Sequence, residues 1–120
     1  MRAESRAAHH NFDIGDGSTP LTYKLERNFN PGCFISVTGK VHTHAVRLHI
    51  NLYTSGGSSS NIALHVNPRF KEKAFVMNSR VAGLWGVEER LKLGPLARGK
   101  EADISLVCDD KDIKVSVNDR

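Results

Sequence analysis

Long hydrophobic runs are missing from this chain of 120 residues, and cysteine is scarce. No segment is apolar over the roughly 20 residues that a membrane-spanning helix needs, and residues 1–10 are polar and basic, unlike a signal peptide. Two cysteines, Cys33 and Cys108, are too few for the disulfide framework of a small secreted domain. We therefore expect a cytoplasmic chain with buried free thiols and no membrane insertion.

Signatures of catalysis, metal binding and nucleic-acid binding are also missing. The chain has no nucleophile elbow, phosphate-binding loop or dinucleotide fingerprint. Its net charge of +4 comes from Lys and Arg residues that are spread along the sequence, so we expect no nucleic-acid partner. His42 and His44 lack a third ligand at zinc-like spacing, and we expect neither a metal nor a cofactor.

What is present favours an all-β protein. Short strand-like segments separated by Gly, Asn and Pro turns, without heptads or long segments of helical period, are typical of an antiparallel β-sandwich. The length corresponds to one domain. We predict strands at residues 21–25, 34–40 and 46–52, loops at 13–19 and 53–60, a disordered leader over 1–11 and one folded domain over 12–120.

The most informative feature is a set of polar and aromatic side chains within residues 65–90. Its members can all contact a sugar, and they are His65, Asn67, Arg69, Asn78, Trp85, Glu88 and Arg90. In residues 64–70 the polar side chains occupy every second position, so a strand would direct them to one face. Residues 76–78 and 84–90 then predict a second and a third strand beside it.

These residue types suit a galactose-like ring. Each sugar hydroxyl both donates and accepts, so its binding site needs donors, an acceptor carboxylate and an amide. Trp85, the only tryptophan, is the natural platform for the apolar C–H face of the ring. Arg69 and Arg90 on either side of Glu88 would hold the carboxylate in place while leaving lone pairs for a hydroxyl.

The segments HVNPRF (65–70), VMNS (76–79) and WGVEER (85–90) resemble the signature of the galectins, the β-galactoside-binding lectins. The resemblance spans about residues 12–120 and implies a jelly-roll sandwich of the galectin or concanavalin-like type. It also implies metal-independent binding of lactose or N-acetyllactosamine units on glycoproteins or glycolipids. An extracellular role, as galectins have, would need export without a signal peptide.

The resemblance assigns a role to each of the seven residues. His65, Asn67 and Arg69 would bind the galactose 4-hydroxyl and ring oxygen. Asn78 and Glu88 would bind the 6-hydroxyl, and Trp85 would stack on the ring. Glu88 and Arg90 together would reach the neighbouring sugar.

The chain departs from the galectin pattern in two places. The segment between Arg69 and Asn78 is shorter than usual in the family, which leaves Glu72 as the only candidate for the acidic residue that orders the arginine. The sequence also stops where a galectin would continue through two more strands, so we expect a sheet edge that is open to pairing. A homodimer or a tandem partner domain stays open.

A further group of polar residues extends the predicted site. Within residues 46–52, alternation predicts Leu48, Ile50 and Leu52 in the core, with three polar residues on the opposite face. Galectin topology would place these beside the His65 strand, where they would extend the sugar site, and they are Arg47, His49 and Asn51. Since an exposed strand face is polar in any case, a purely structural role stays open for them.

Glu88 and Glu89 raise the question of an enzyme. A glycosidase needs two carboxyl groups that flank the bond, roughly 5 to 9 Å apart, whereas neighbouring residues of a strand point to opposite faces. We therefore predict a binding module and no enzyme. The alternative is a galectin-fold interaction module that has weak or lost galactoside binding and acts through protein contacts.

Overall fold

Two antiparallel β-sheets make up the protein in the computed structural model. The structure describes residues 2–5, 11–15, 21–24, 31–53 and 61–118. In chain order, the strands are β1 (Arg2–Ser5), β2 (Asn11–Gly15), β3 (Leu21–Lys24), β4 (Phe34–Lys40), β5 (His49–Tyr53), β6 (Ile62–Arg69), β7 (Ala74–Val81), β8 (Leu84–Trp85), β9 (Glu89–Lys92), β10 (Glu101–Cys108) and β11 (Ile113–Val117). No described residue belongs to a helix long and apolar enough to cross a bilayer.

The smaller sheet has the strand order β1-β4-β10-β11, and the larger has the order β3-β2-β5-β6-β7-β8. Strand β9 also pairs with β7, along Ala74 to Met77, while β8 pairs with Arg80 and Val81 farther along the same strand. One hydrophobic cluster joins the two sheets, with Val37 and Ile104 from the smaller sheet packed with Ile50 and Val66 from the larger. The predicted all-β sandwich is therefore confirmed.

Alternation places the core and the site on opposite faces of β5 and β6. Leu48, Ile50 and Leu52 are buried as predicted, with exposed fractions of 4%, 2% and 3%. On β6, Val66 and Pro68 are buried among the core residues. Since β-branched and other apolar residues pack well against a pleated surface, this pattern also fixes which face of β6 turns outward.

Several predicted boundaries need correction. Strand β5 begins at His49 rather than at residue 46, and Arg47 makes only an isolated bridge with Arg69. Residues 2–5 form β1, which pairs with β4, where the sequence predicted a disordered leader. Residues 11–15 form β2, where a loop was predicted from residue 13. In both cases cross-strand backbone pairing, which a local pattern does not reveal, orders the segment. The remainder of the predicted leader and both loops fall largely outside the described residues.

The two cysteines lie side by side at the end of the smaller sheet. The Cys108 amide donates to the Cys33 carbonyl over 2.9 Å, and the two cysteines are not joined in a disulfide. Each residue is half-buried rather than fully buried as predicted. Burial raises the pKa of the Cys108 thiol, with a smaller contribution from the neighbouring Cys33.

Apolar side chains remain exposed at one edge of the larger sheet. Four of them, on and beside its outer strands, have exposed fractions of 61% or more, and they are Val81, Leu84, Val87 and Leu91. On the smaller sheet, β11 has β10 as its only paired strand among the described residues. Within the described part of the chain, the larger sheet thus has exposed apolar side chains along one edge, and the smaller sheet has an unpaired strand edge.

Candidate functional site

A groove of about 480 Å³ crosses the outer face of the larger sheet. It is lined by side chains from β6, β7 and β8 and from the segments beside them, namely Arg47, His65, Asn67, Arg69, Asn78, Trp85, Gly86 and Glu88. Six of the seven residues that the sequence singled out line this groove. The seventh, Arg90, does not line the groove and is linked to it by ion pairs with Glu72 and Glu88.

Alternation along β6 supplies the floor of the groove. The side chains of His65, Asn67 and Arg69 share the face opposite the buried Val66 and Pro68. Cross-strand register then places Asn51 of β5 and Asn78 of β7 on either side of His65. The strands predicted at residues 46–52 and 76–78 therefore both lie beside the strand that carries His65, as the sequence indicated.

Asn51 sets the hydrogen bonding of the His65 ring. Its Oδ1 atom lies within hydrogen-bond distance of His65 Nδ1. An amide oxygen only accepts, so this contact requires a proton on Nδ1 and leaves the lone pair of a neutral imidazole on Nε2. Asn51 thereby makes Nε2 a hydrogen-bond acceptor.

Asn67 is a buried organising residue. Its exposed fraction is only 2%, and its Nδ2 donates to the Leu48 carbonyl over 2.7 Å. Its Oδ1 accepts from Arg69 Nε over 2.8 Å. A buried amide that lost these partners would carry an unsatisfied polar group, so Asn67 both stabilises β6 and orients Arg69.

Two arginines and two glutamates form an alternating network along one side of the groove. Arg69 Nη2 donates to Glu88 Oε2 over 3.1 Å, and Arg69 Nη1 lies 3.5 Å from Glu72 Oε2. Arg90 Nη2 lies 2.9 Å from Glu72 Oε1, and Arg90 Nη1 lies 3.5 Å from Glu88 Oε1. Each carboxylate therefore bridges both guanidinium groups.

Glu72 contacts Arg69, the arginine that the sequence proposed it to order. The hydrogen bond from Arg90 is the main cause of a lowered Glu72 pKa, assisted by the charges of Arg69, Arg90 and Arg47 and opposed by desolvation. The short connection between β6 and β7 thus still supplies an acid that contacts Arg69. Its position, three residues after Arg69, lies in the turn that joins the two strands.

Trp85 forms the exposed wall at one end of the groove, with 48% of its surface exposed. The His65 ring lies 4.9 Å from it, centroid to centroid, at an interplanar angle of 55°. The Arg80 guanidinium carbon lies 5.0 Å from the indole centroid, within the range of a cation–π contact. Sequence reasoning missed Arg80, although its position two residues after Asn78 on the same strand places it on the groove face.

The segment 84–90 is not the single strand that the sequence predicted. It divides into β8 and β9, and a short connection containing Glu88 lies between them. The Gly86 amide donates to the Ser79 carbonyl over 3.0 Å, while Asn78 Nδ2 donates to the Gly86 carbonyl over 3.0 Å. A Cβ atom at Gly86 would lie 3.2 Å from Asn78 Oδ1, so this close approach favours glycine.

The structure separates the three residues of the predicted extension. Arg47 lines the groove, and Asn51 contacts it through His65. His49 lies on β5 and does not line the groove. Glu88 and Glu89 are also separated, because Glu88 faces the groove whereas Glu89 lines a different cavity with Leu64 and Met77.

Comparisons with known proteins agree with this geometry. A family model described as "Galactoside-binding lectin" matches residues 20–120. Rat Galectin-8 is 38% identical over 102 residues, which cover 84% of this chain and 32% of that protein. Human Galectin-7 is 33% identical over 102 residues, covering 85% of this chain and 75% of that protein. The structure of a toad ovary galectin in complex with N-acetylgalactose superposes with a TM-score of 0.67 at 26% identity, over 76% of this chain and 69% of that one.

Proposed function

Because the chain belongs to the galactoside-binding lectin family, we propose that its groove binds β-galactosides of the lactose and N-acetyllactosamine type. The observation that carries this proposal is the network of Arg69, Glu72, Glu88 and Arg90. Two of its members, Arg69 and Glu88, line the same groove as the exposed Trp85. It combines fixed donors and acceptors with one apolar platform, as sugar recognition requires.

The seven residues singled out from the sequence have these proposed places in the complex. His65 Nε2 accepts from the 4-hydroxyl, and Arg69 donates to that oxygen and to the ring oxygen, with Asn67 beside them. Asn78 and Glu88 bind the 6-hydroxyl, while Trp85 packs against the C–H face of galactose. Glu88 and Arg90 extend to the second sugar. The orientations of Asn67, Arg69 and Glu88 support this assignment, because hydrogen bonds among the three hold their polar groups in place within the groove.

Affinity for one sugar unit is modest in this proposal. Each hydroxyl exchanges a bond to water for a bond to protein, with a net gain of about 0.5 to 1.5 kcal/mol. Strong attachment to glycoproteins or glycolipids then depends on several linked sites, in a homodimer or beside a tandem partner domain. We place this binding in the cytoplasm or, after export without a signal peptide, outside the cell.

The rival function, a protein-interaction module without useful sugar affinity, is less favoured. Its basis in the sequence is the short connection before Asn78. Glu72 nevertheless contacts both Arg69 and Arg90, so the short connection leaves the network in place. Among solved relatives, the toad ovary galectin with its bound sugar also supports the galactoside proposal.

The deciding experiment is a lactose titration followed by the fluorescence of Trp85, the only tryptophan in the chain. A saturable change with lactose, no change with sucrose and no effect of EDTA are expected. A thermal melt under the same conditions establishes that the chain is folded. A cooperatively melting protein that ignores lactose would overturn the proposal and favour the interaction module.

A further inference from the structure

A shallow, open cavity of about 500 Å³ lies where the β6–β7 turn meets the end of β9 and the loop that follows it. It is lined by Phe70, Lys73, Lys92, Leu93, Gly94, Leu96, Ala97 and Arg98. The exposed fractions of Phe70 and Leu96 are 7% and 3%, so its floor is part of the hydrophobic core. None of these residues lines the sugar groove.

The rim of this cavity carries positive charge only. Lys73, Lys92 and Arg98 are exposed cations, and no aspartate or glutamate is among the lining residues. Within the described part of the chain, none of the three belongs to an ion pair. Arg98 is oriented by a hydrogen bond from its Nε to the Ala45 carbonyl over 2.6 Å. An anionic group would therefore meet cations without displacing a carboxylate.

Lys73 is the last residue of the turn between β6 and β7. Its φ of +54° lies in the left-handed region, which lysine adopts rarely and glycine adopts without strain. The conformation is held by hydrogen bonds between Lys73 N and Phe70 O and between Leu93 N and Lys73 O. These bonds hold the backbone of Lys73 in place at the rim of the cavity.

We propose that this cavity binds a small amphipathic anion, whose apolar body contacts Phe70, Leu93 and Leu96 and whose carboxylate or sulfate head lies among Lys73, Lys92 and Arg98. The mostly apolar lining, with three cations at its rim, complements an apolar body that carries one anionic head group. The proposal is independent of the galactoside site, because the two cavities share no lining residue.

Decanoate, below the concentration at which it forms micelles, is a suitable probe. Saturable changes in the amide NMR signals of Leu93, Gly94 and Ala97 are expected. Binding should weaken as salt rises from about 0.05 to about 0.5 M, since exposed charges are screened over that range. Decyltrimethylammonium has the same chain and a cationic head, and we expect it to bind much more weakly. Saturating lactose should not displace decanoate.

Three single variants locate the head group. Lys73→Gln and Lys92→Gln should each weaken decanoate binding by about three- to fivefold, the range of an exposed ion pair. Lys71→Gln is the matched control, because Lys71 is exposed in the same turn and does not line the cavity. It should leave the affinity unchanged. Thermal melts of all three variants separate loss of the site from loss of the fold.

Three results would overturn the proposal. Equal affinity for decanoate and decyltrimethylammonium would mean apolar adsorption without recognition of charge. Signal changes centred on the exposed apolar residues Val81, Leu84, Val87 and Leu91 would place binding elsewhere. Equal loss of affinity in Lys71→Gln and Lys92→Gln would show that net charge alone, and not the cavity, attracts the anion.

Discussion

The two sides of the sugar groove are built in opposite ways. The β6 side lies in the middle of the larger sheet, where β5 and β7 pair with it on both edges. Its central residue, Asn67, is buried and hydrogen-bonded at both amide atoms. The side formed by residues 84–92 consists of two short strands at the sheet edge, and all of its residues are exposed.

The difference means that the buried residues of β6 orient the exposed polar groups of the groove. The buried Asn67 orients Arg69 by a hydrogen bond, and Arg69 in turn orients Glu88. Among the described residues, Glu88 has no buried partner of its own. A change on the β6 side should therefore alter both the fold and the affinity, whereas a change on the edge side should alter the affinity alone.

The largest combined effect is expected for Asn67→Leu. The substitution leaves the Leu48 carbonyl unsatisfied and releases Arg69, so we expect a loss of about 1 to 3 kcal/mol in unfolding free energy together with most of the lactose affinity. Urea unfolding and a lactose titration measure the two effects. Asn78→Leu is the matched control for stability, because the hydrogen bonds of Asn78 are exposed. Equal stability losses in both variants would contradict the comparison.

On the edge side, Trp85→Ala should remove most lactose binding without unfolding the domain. The indole is 48% exposed, so little core packing is lost, while the sugar loses its apolar platform. We expect a decrease in affinity of about 10- to 100-fold. Calorimetric titration measures it, since the fluorescent residue is gone. Full affinity in the variant would show that Trp85 does not stack on the sugar.

A smaller effect on lactose affinity is expected when His65 Nδ1 loses its hydrogen bond to Asn51. Asn51→Leu removes the acceptor at Nδ1, and we expect about a 3- to 10-fold decrease in lactose affinity, the worth of one hydrogen bond. Asn51→Asp retains an acceptor and should restore most of the affinity at a pH high enough to keep the imidazole neutral, because a neighbouring carboxylate favours the charged ring. Nitrogen NMR of the His65 ring reports the tautomer directly. An unchanged tautomer in Asn51→Leu would mean that other contacts set it.

The sequence predicted the β6 side of the groove better than the edge side. Strict alternation in residues 64–70 identified which side chains face outward, because a strand covered on one face permits only one register. It could not show that Asn67 is buried, since that depends on Leu48, a residue distant in sequence. The division of residues 84–90 into two strands and the position of Arg80 over Trp85 depend on pairing with β7, which no local pattern encodes.

The smallest effect is expected at Glu72, which joins the two sides of the groove through Arg69 and Arg90. Its pKa is lowered from 4.5 in the folded protein, mainly by the hydrogen bond from Arg90. The ion pairs therefore contribute fully above the unfolded pKa of 4.5, and their contribution is lost as the pH falls through the lower folded value.

Glu72→Gln should accordingly weaken lactose binding by about two- to threefold at neutral pH, because its partners are exposed and screened by solvent. Lactose titrations of wild type and variant from neutral pH downward measure the effect. The difference between the two proteins should shrink once the pH falls below the folded pKa, since the protonated carboxyl of Glu72 and the amide that replaces it in the variant are then both neutral. A constant difference down to the lowest pH at which both remain folded would mean that Glu72 acts through packing rather than through its charge, and that the two sides of the groove are joined by Arg69 and Glu88 alone.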